Sequence, residues 1–370
     1  MIRIAYAPIN SDYIPPKCGS DRYDFGYSKP LQELANAHEI ELAIFQRNQP
    51  NADMRREFPD IRPFKSVMRA LIHPAPQIQT IIYSSLIQKN GSPYNAIAET
   101  LHPVGNLCFL LDAYKPDIVI SAYNVSQMQH PCKKILVCHE YWPYTIKEFL
   151  SDRGADAAII QTEVDRIQED MSKVFLTFDR IITPSKLCHR LLVENHTTPA
   201  QIIDLYIAPG DTALDYSKGK YALLTSSRGW FRFDSVSNAI VPIREQLNKV
   251  GIDVRIISGL FDPKPVLCGV TPTQYFASEP SKIYMHLACG IPTFVHPNNF
   301  EDLKDEVGVH PLSVEDIIRS SHEGWRQRES KDILLAVEQK HGMKTCTSTW
   351  RFLIANWVYS TAFGSITGRK

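Results

Sequence analysis

The chain has no excess of charge of either sign: over its 370 residues, lysines plus arginines number 40 and aspartates plus glutamates also 40. No global field therefore draws it onto nucleic acid or an anionic membrane, which leaves only a local basic cleft for such partners. Long apolar runs are lacking too, and no segment approaches the roughly 20 apolar residues of a bilayer span. The N-terminal MIRIAYAPI has one basic residue and reads as a strand, without the longer apolar core and cleavage site of a secretory signal. These absences predict a soluble, cytoplasmic protein. The eight cysteines form no CxxC pair and several sit inside apolar runs, so they are expected to be reduced, mostly buried thiols. GxGxxG, Walker A, HExxH and zinc-type Cys/His spacings are missing. No segment repeats with a period of roughly 20 to 50 residues.

What is present is an ordinary globular balance, 44% apolar and 22% charged residues, in a chain too long for one core. Two domains with a cleft between them are the expectation. Short β-rich runs alternate with helical patterns, which predicts an α/β fold with parallel sheets covered by helices. In the first half the predicted strands are Ile2 to Ala7, Ile40 to Phe45, Asp117 to Ala122, Ile135 to His139, Arg180 to Thr183 and Ile202 to Ile207. Predicted helices run from Ser28 to Ala37, Ile78 to Leu86 and Ile97 to Leu111, while Asn48 to Pro76 reads as an irregular insertion. A Pro-Gly-Asp turn at 209–211 opens a connection that places a domain boundary there. A second small α/β unit follows, with strands at Tyr221 to Ser226, Val254 to Ser258, Val266 to Val270 and Thr293 to His296, and helices at Val236 to Val250 and Ser281 to Ala288. The expected domains are 1–210, 211–345 and, over 346–370, a terminal helix returning to the first domain.

The most informative stretch is Glu279 to Pro292, EPSKIYMHLACGIP. Pro and Ser open a helix and Gly290 closes it before the strand TFVHP. At the carboxyl edge of a parallel sheet, the unpaired amides and positive dipole end of such a helix suit a diphosphate. A helix that merely packs is the alternative. The run PSKIYMHLACGIPTF resembles the donor helix, PSKxxEYLAxGxPV, of retaining nucleotide-sugar glycosyltransferases of the GT-B fold, of the family 4 kind. SSRGWFRF resembles that family's basic diphosphate loop, YIAPGDTALDY the segment joining its lobes, and FDRIITPSKLCHRLL its last N-terminal strand and helix. The likeness covers roughly residues 175 to 300.

The resemblance implies two Rossmann-like lobes facing a central cleft, an acceptor-binding first domain and a nucleotide-sugar-binding second one. It implies a hexosyl- or pentosyltransferase that moves sugar from a donor such as a UDP-sugar to a hydroxyl acceptor, with retained configuration. No cofactor and no metal are expected, and the DxD element of metal-dependent transferases of another fold is missing. The acceptor would be a glycan, a lipid-linked glycan or a modified DNA base. For DNA, Arg47, Arg55, Arg56, Arg62, Lys65 and Arg69 form a suggestive basic cluster. A nucleotide-sugar epimerase of the same fold and a non-catalytic nucleotide-sugar-binding protein are the rival readings.

Departure of a nucleoside diphosphate builds negative charge, so fixed cations aimed at it lower the barrier. Arg228, Arg232 and Lys282 are the candidates, against the plainer reading of solvated surface charges. The family spaces its Arg and Lys five apart, whereas Arg228 and Arg232 are four apart. Ser281 and Ile283 open the donor helix. The family's ribose-binding glutamate aligns with Met285, which cannot accept those hydrogen bonds, so Tyr284, His286 or Glu279 is left to substitute. Tyr275 and Phe276 are candidates for a rebuilt base pocket. By resemblance His139, at the end of the strand ILVCH, contacts the transferred sugar, while Glu140, Tyr141 and Trp142 offer acceptor orientation and stacking rings. The loop from Pro8 to Tyr27 reads as acceptor-binding through Tyr13 and Tyr23, with Gly19 or Gly26 letting backbone approach the donor phosphate.

Overall fold

A computed structural model of the chain describes residues 1–9, 13–14, 19–65, 97–98, 100–152, 154–210, 221–225, 233–257, 263, 265–271 and 281–364. The first seven strands are β1 (Ile2–Ala7), β2 (Ile40–Arg47), β3 (Ile61–Phe64), β4 (Ile118–Ser121), β5 (Lys133–Val137), β6 (Arg180–Thr183) and β7 (Ala200–Ile202). They form one parallel sheet in the order β3-β2-β1-β4-β5-β6-β7. Because all four residues of β4, IVIS, are buried, both faces of this sheet are covered, as parallel sheets require.

The two faces can be read from alternate residues. Ala5, Ala43, Phe45, Val119 and Leu136 enter one apolar cluster. Ile4, Leu42, Ile44, Ile118 and Ile135 enter the other. The first face is covered by α3 (Gly105–Tyr114), α4 (Trp142–Asp152), α5 (Ala157–Phe175) and α6 (Lys186–Asn195), which contribute Leu111, Ile146, Met171 and Leu192. The second is covered by α1 (Gly19–Asn36) and the C-terminal helix Met343–Gly364, through Tyr27, Leu31, Leu34, Trp350, Leu353 and Trp357. Trp350 meets Tyr27 edge-on at 5.8 Å, and Arg351 pairs with Glu39 through two hydrogen bonds of 2.6 Å. The terminal helix thus returns to the first lobe as expected.

The second sheet contains β8 (Tyr221–Thr225), β9 (Asp253–Ile257), β10 (Val266–Thr271), β11 (Thr293–Val295) and β12 (Val309–Pro311), all parallel, in the order β12-β11-β10-β8-β9. Helix α7 (Phe233–Lys249) links β8 to β9, and α8 (Ser281–Ala288) links β10 to β11. Helix α11 (Glu323–His341) packs on α8, and α8 also packs on α1, so the two lobes meet. The joining segment is held by Tyr206 N donating to Gly26 O at 3.1 Å and Gly210 N donating to Ala288 O at 2.9 Å.

Three sequence expectations are corrected. Helix α1 begins at Gly19, not Ser28, so most of the expected acceptor loop is helical. Tyr23, Tyr27, Leu31 and Leu34 form a continuous apolar stripe at helical spacing that outweighs the breaker signals of Gly26 and Pro30. Strand β3 lies inside the stretch read as an irregular insertion; four residues containing Pro63 make an edge strand with little pattern to detect. Of the run Ile202 to Ile207 only Ile202 belongs to β7; the rest is a connector beyond the strand, with Ile203, Leu205 and Ile207 buried and Asp204 exposed. The predicted helix Ile78 to Leu86 lies outside the described residues.

Candidate functional site at the carboxyl edges of the two sheets

Ligands of open parallel sheets bind beyond the carboxyl ends of the strands where the strand order reverses. In the second sheet the chain leaves β8 toward β9 on one side and β10 toward β11 on the other, so the reversal falls between β8 and β10. The segment with Arg228 and Arg232 follows β8, and the one with Tyr275 and Glu279 follows β10. The parallel strands β8 and β10 end at one edge of the sheet; Arg228, Arg232, Tyr275 and Glu279 themselves lie outside the described residues. The backbone of Ser281 and Lys282 forms the first turn of α8, which begins at that edge.

From Ile283 to Ala288 every residue of α8 is buried. His286 has no exposed surface, and its Nδ1 lies 3.1 Å from Thr293 Oγ1 on β11. It rests on Gly269 of β10 so closely that a Cβ there would come within 2.0 Å of the ring. Tyr284 packs its ring 5.2 Å from that of His341 on α11, and Met285 is buried. Gly290, at φ +67°, ends the helix in a conformation that favours glycine, and Ser330 crowds its missing side chain. Of the three residues weighed against the absent ribose-binding glutamate, His286 is thus committed to the interior of its own lobe.

In the first sheet the order reverses between β1 and β4. Beyond β1, Ile9 donates its amide to Asp24 Oδ1 at 3.2 Å and its carbonyl accepts from the Tyr123 hydroxyl at 2.7 Å. Tyr6 on β1 also donates to Asp24 Oδ1, at 3.2 Å. His139, two residues past β5, places Nε2 3.8 Å from that same oxygen, and Tyr23 packs its ring 5.3 Å away. The His139 side chain is 11% exposed, and burial pulls its pKa down to about 4, so the imidazole is neutral at physiological pH. His139 and Tyr23 are therefore brought together.

The neighbours of His139 are placed differently. The Glu140 carboxylate is buried and accepts from the Thr145 hydroxyl one turn into α4. Tyr141 and Trp142 are buried in the core on the first face of the sheet, Tyr141 against His196 and Trp142 with its indole N–H on Thr100. Tyr13 has no exposed surface and packs on Phe58 at 6.0 Å; burial raises its pKa well above the ordinary tyrosine value. Gly19 is the first residue of α1. Gly26 admits the chain at Leu205 and Tyr206, whose atoms would lie 3.0 Å from a Cβ. Part of the basic cluster is neutralised in place: Arg62 is bidentate on Asp60 at 2.8 Å and Arg56 bonds Asp53 at 2.9 Å. Arg69 lies outside the described residues.

Asp24 and Tyr123 are the residues that sequence reading missed. The available signal was an acid one turn before Tyr27 on a buried helical stripe, visible only once α1 is begun at Gly19. Among the described residues no group of three His, Cys, Asp or Glu side chains is placed to hold a metal ion, and no helix is long and apolar enough to cross a membrane.

Two doubly wound parallel sheets, with a C-terminal helix crossing back to the first, define the GT-B fold of glycosyltransferases. The sucrose-phosphate synthase of Thermosynechococcus elongatus superposes with a TM-score of 0.58 at 14% identity, over 99% of this chain and 100% of that one. TarM superposes with a TM-score of 0.58 at 9% identity, over 95% of this chain and 98% of that one. A mutant TarM of S. aureus, in complex with fondaparinux, α-GlcNAc-glycerol and UDP, gives 0.56 at 9% identity, over 95% and 99%. At these identities the likeness establishes the fold. No family model matches the chain, and no curated protein matches it in sequence.

Proposed function

We propose that this chain is a glycosyltransferase that moves a sugar from a nucleotide donor on the second lobe to a hydroxyl acceptor at the first. The observation that carries the reading is α8, which begins at the carboxyl edge beside the β8/β10 reversal while its far end is locked into the lobe by His286 and Gly290. A helix fixed in that way presents its dipole and amides to a diphosphate without reorganising. The whole-chain likeness to glycosyltransferase structures supports the same reading.

In this proposal the amides of Ser281 and Ile283 hold the diphosphate of a donor such as a UDP-sugar. Arg228, Arg232 and Lys282 offset the charge that builds as the anomeric C–O bond breaks, so neither a metal nor a cofactor is invoked. Glu279 takes the ribose hydroxyls and Tyr275 the base, since His286 is occupied and Tyr284 packs on His341. His139 meets the transferred sugar from the opposite lobe. Retention of configuration follows the donor-helix resemblance, and cytoplasmic location follows the sequence reading. Pairing of Arg62 and Arg56 with carboxylates favours a saccharide acceptor over the phosphates of DNA.

The test is a thermal-shift screen of nucleotide sugars, followed by mass spectrometry of glycans and of modified DNA incubated with the donor that binds. Transfer to either acceptor supports the proposal. Isomerised donor without acceptor points to an epimerase, and binding without turnover to a non-catalytic protein. Arg228→Ala should lower turnover by roughly 100-fold, and unchanged turnover would remove Arg228 from the mechanism.

A further inference from the structure

Asp24 has no exposed surface. Taking an ionised carboxylate out of water costs several kcal/mol unless donors and favourable fields replace the lost solvation. Oδ1 receives two such donors, the Tyr6 hydroxyl and the Ile9 amide, and the residue lies in the second turn of α1, near its positive end. The same oxygen faces His139 Nε2 across 3.8 Å, longer than a hydrogen bond. Both ring nitrogens of His139 are buried, and neither has a hydrogen-bond partner. An unpaired buried polar atom costs about 1 to 3 kcal/mol, so a small rotation of the ring toward Oδ1 is favourable.

The direction of that interaction is decided by chemistry. An ionised carboxylate only accepts, and a neutral imidazole has one donor nitrogen and one acceptor nitrogen. Burial keeps the His139 ring neutral, with its pKa at about 4. The nitrogen facing Asp24 must then carry the proton, and Nδ1 is left with a lone pair that no group of the described chain supplies with a donor.

We propose that Asp24 is the positioning residue for His139, accepting Nε2–H so that the imidazole is held as one tautomer and in one orientation, with the part of the ring that stays exposed turned to the sugar bound between the lobes. This rests on the transferase reading above. Asp24, fully buried, does not itself touch the sugar; it acts through the ring.

Two-bond proton–nitrogen correlation spectra of nitrogen-15 histidine-labelled protein distinguish the tautomers, with a His139→Gln spectrum to assign the signal. The wild-type chain near neutral pH is expected to show the Nε2–H tautomer at His139. Predominance of Nδ1–H overturns the inference, and this measurement depends neither on turnover nor on any Asp24 variant folding. Asp24→Leu, of the same branched shape, takes away the oxygen that Tyr6, Ile9 and the ring share. It is expected to shift the tautomer toward Nδ1–H and to lower kcat about 10-fold with donor KM within about 3-fold. An unchanged tautomer or an unchanged kcat in Asp24→Leu overturns it. Tyr6→Phe removes a bond to the same oxygen yet keeps the carboxylate, so tautomer and kcat should both hold within about 2-fold. If Tyr6→Phe reproduces the loss, the effect is one of packing and the inference fails. A wild-type chain with the expected tautomer and no transfer from any nucleotide sugar defeats the transferase reading alone. Turnover with the opposite tautomer defeats this inference alone.

Discussion

The carbonyl of Gly26 accepts the amide of Tyr206 at 3.1 Å. Pro30, four residues further along α1, has no N–H to give that carbonyl, so the helix itself leaves it free. The missing side chain of Gly26 then lets the connector at Leu205 and Tyr206 approach. Two residues that read as helix breakers together make the seam between α1 and the segment that leads to the second lobe.

Gly26→Ala tests that seam. Its Cβ would lie 3.0 Å from both Leu205 Cβ and the Tyr206 carbonyl oxygen, where backbone must give way. The variant should lose about 1 to 3 kcal/mol in urea unfolding; a midpoint equal to wild type would show that the connector moves aside freely.

A double-mutant cycle probes how α8 is anchored. Gly269→Ala puts a Cβ within 2.0 Å of His286 Nδ1, so it should displace the ring and cost roughly 3 kcal/mol or more. In the His286→Ala background the same change meets no imidazole and should cost less by at least about 1 kcal/mol. Additive losses would mean that the clash is relieved elsewhere. Nucleotide affinity of Gly269→Ala should fall together with its stability.

Trp350→Ala should release the terminal helix. Trp350 has no exposed surface and contacts the rings of Tyr27 and Trp357, so its removal should cost about 3 to 5 kcal/mol. Trp350→Phe should retain more than half of that. Equal losses would place the stabilisation outside ring packing.

Acid should weaken the fold in two steps. Burial holds His139 and His196 at about 4, below the ordinary value of 6.5. The unfolded chain therefore takes up protons first, and stability present above pH 6.5 declines as pH falls toward 4, by on the order of 2 kcal/mol per ring. At Glu306, burial works to raise the pKa, but the hydrogen bond and charge of His341 and the Lys340 ammonium outweigh it and bring it to about 2. Its contribution, present above the unfolded value of 4.5, is lost as pH falls toward 2. Urea midpoints should thus drop between pH 6.5 and 4 and again below 4.5. Glu306→Gln should flatten only the lower step, and persistence of that step in the variant would refute the assignment.

The central sheet strands and the donor helix were legible in the sequence, because each rests on local pattern, whereas the short edge strands β3, β7 and β12 were not. Short apolar runs such as IRIAYA mark strands in any context. EPSKIYMHLACGIP carries its own start and stop signals, and α8 does run from Ser281 to Ala288. Helix α1 was not legible at its start, since Gly26 and Pro30 argue for a break that only the distant Tyr206 amide compensates. For the same reason Tyr141 and Trp142 read as cleft-facing stacking rings, although the fold buries them between the sheet and its helices.

Sequence alone determined the α/β class, the order of the two parallel sheets along the chain, and the helix from Ser281 to Ala288, because hydrophobic period and capping residues act over a few positions. Tertiary structure alone decided that His286 faces inward onto Gly269, that the terminal helix lies on α1, and that Asp24 meets His139 across more than a hundred residues of chain. Such pairings depend on which faces are left uncovered once the elements pack, and no local propensity encodes that.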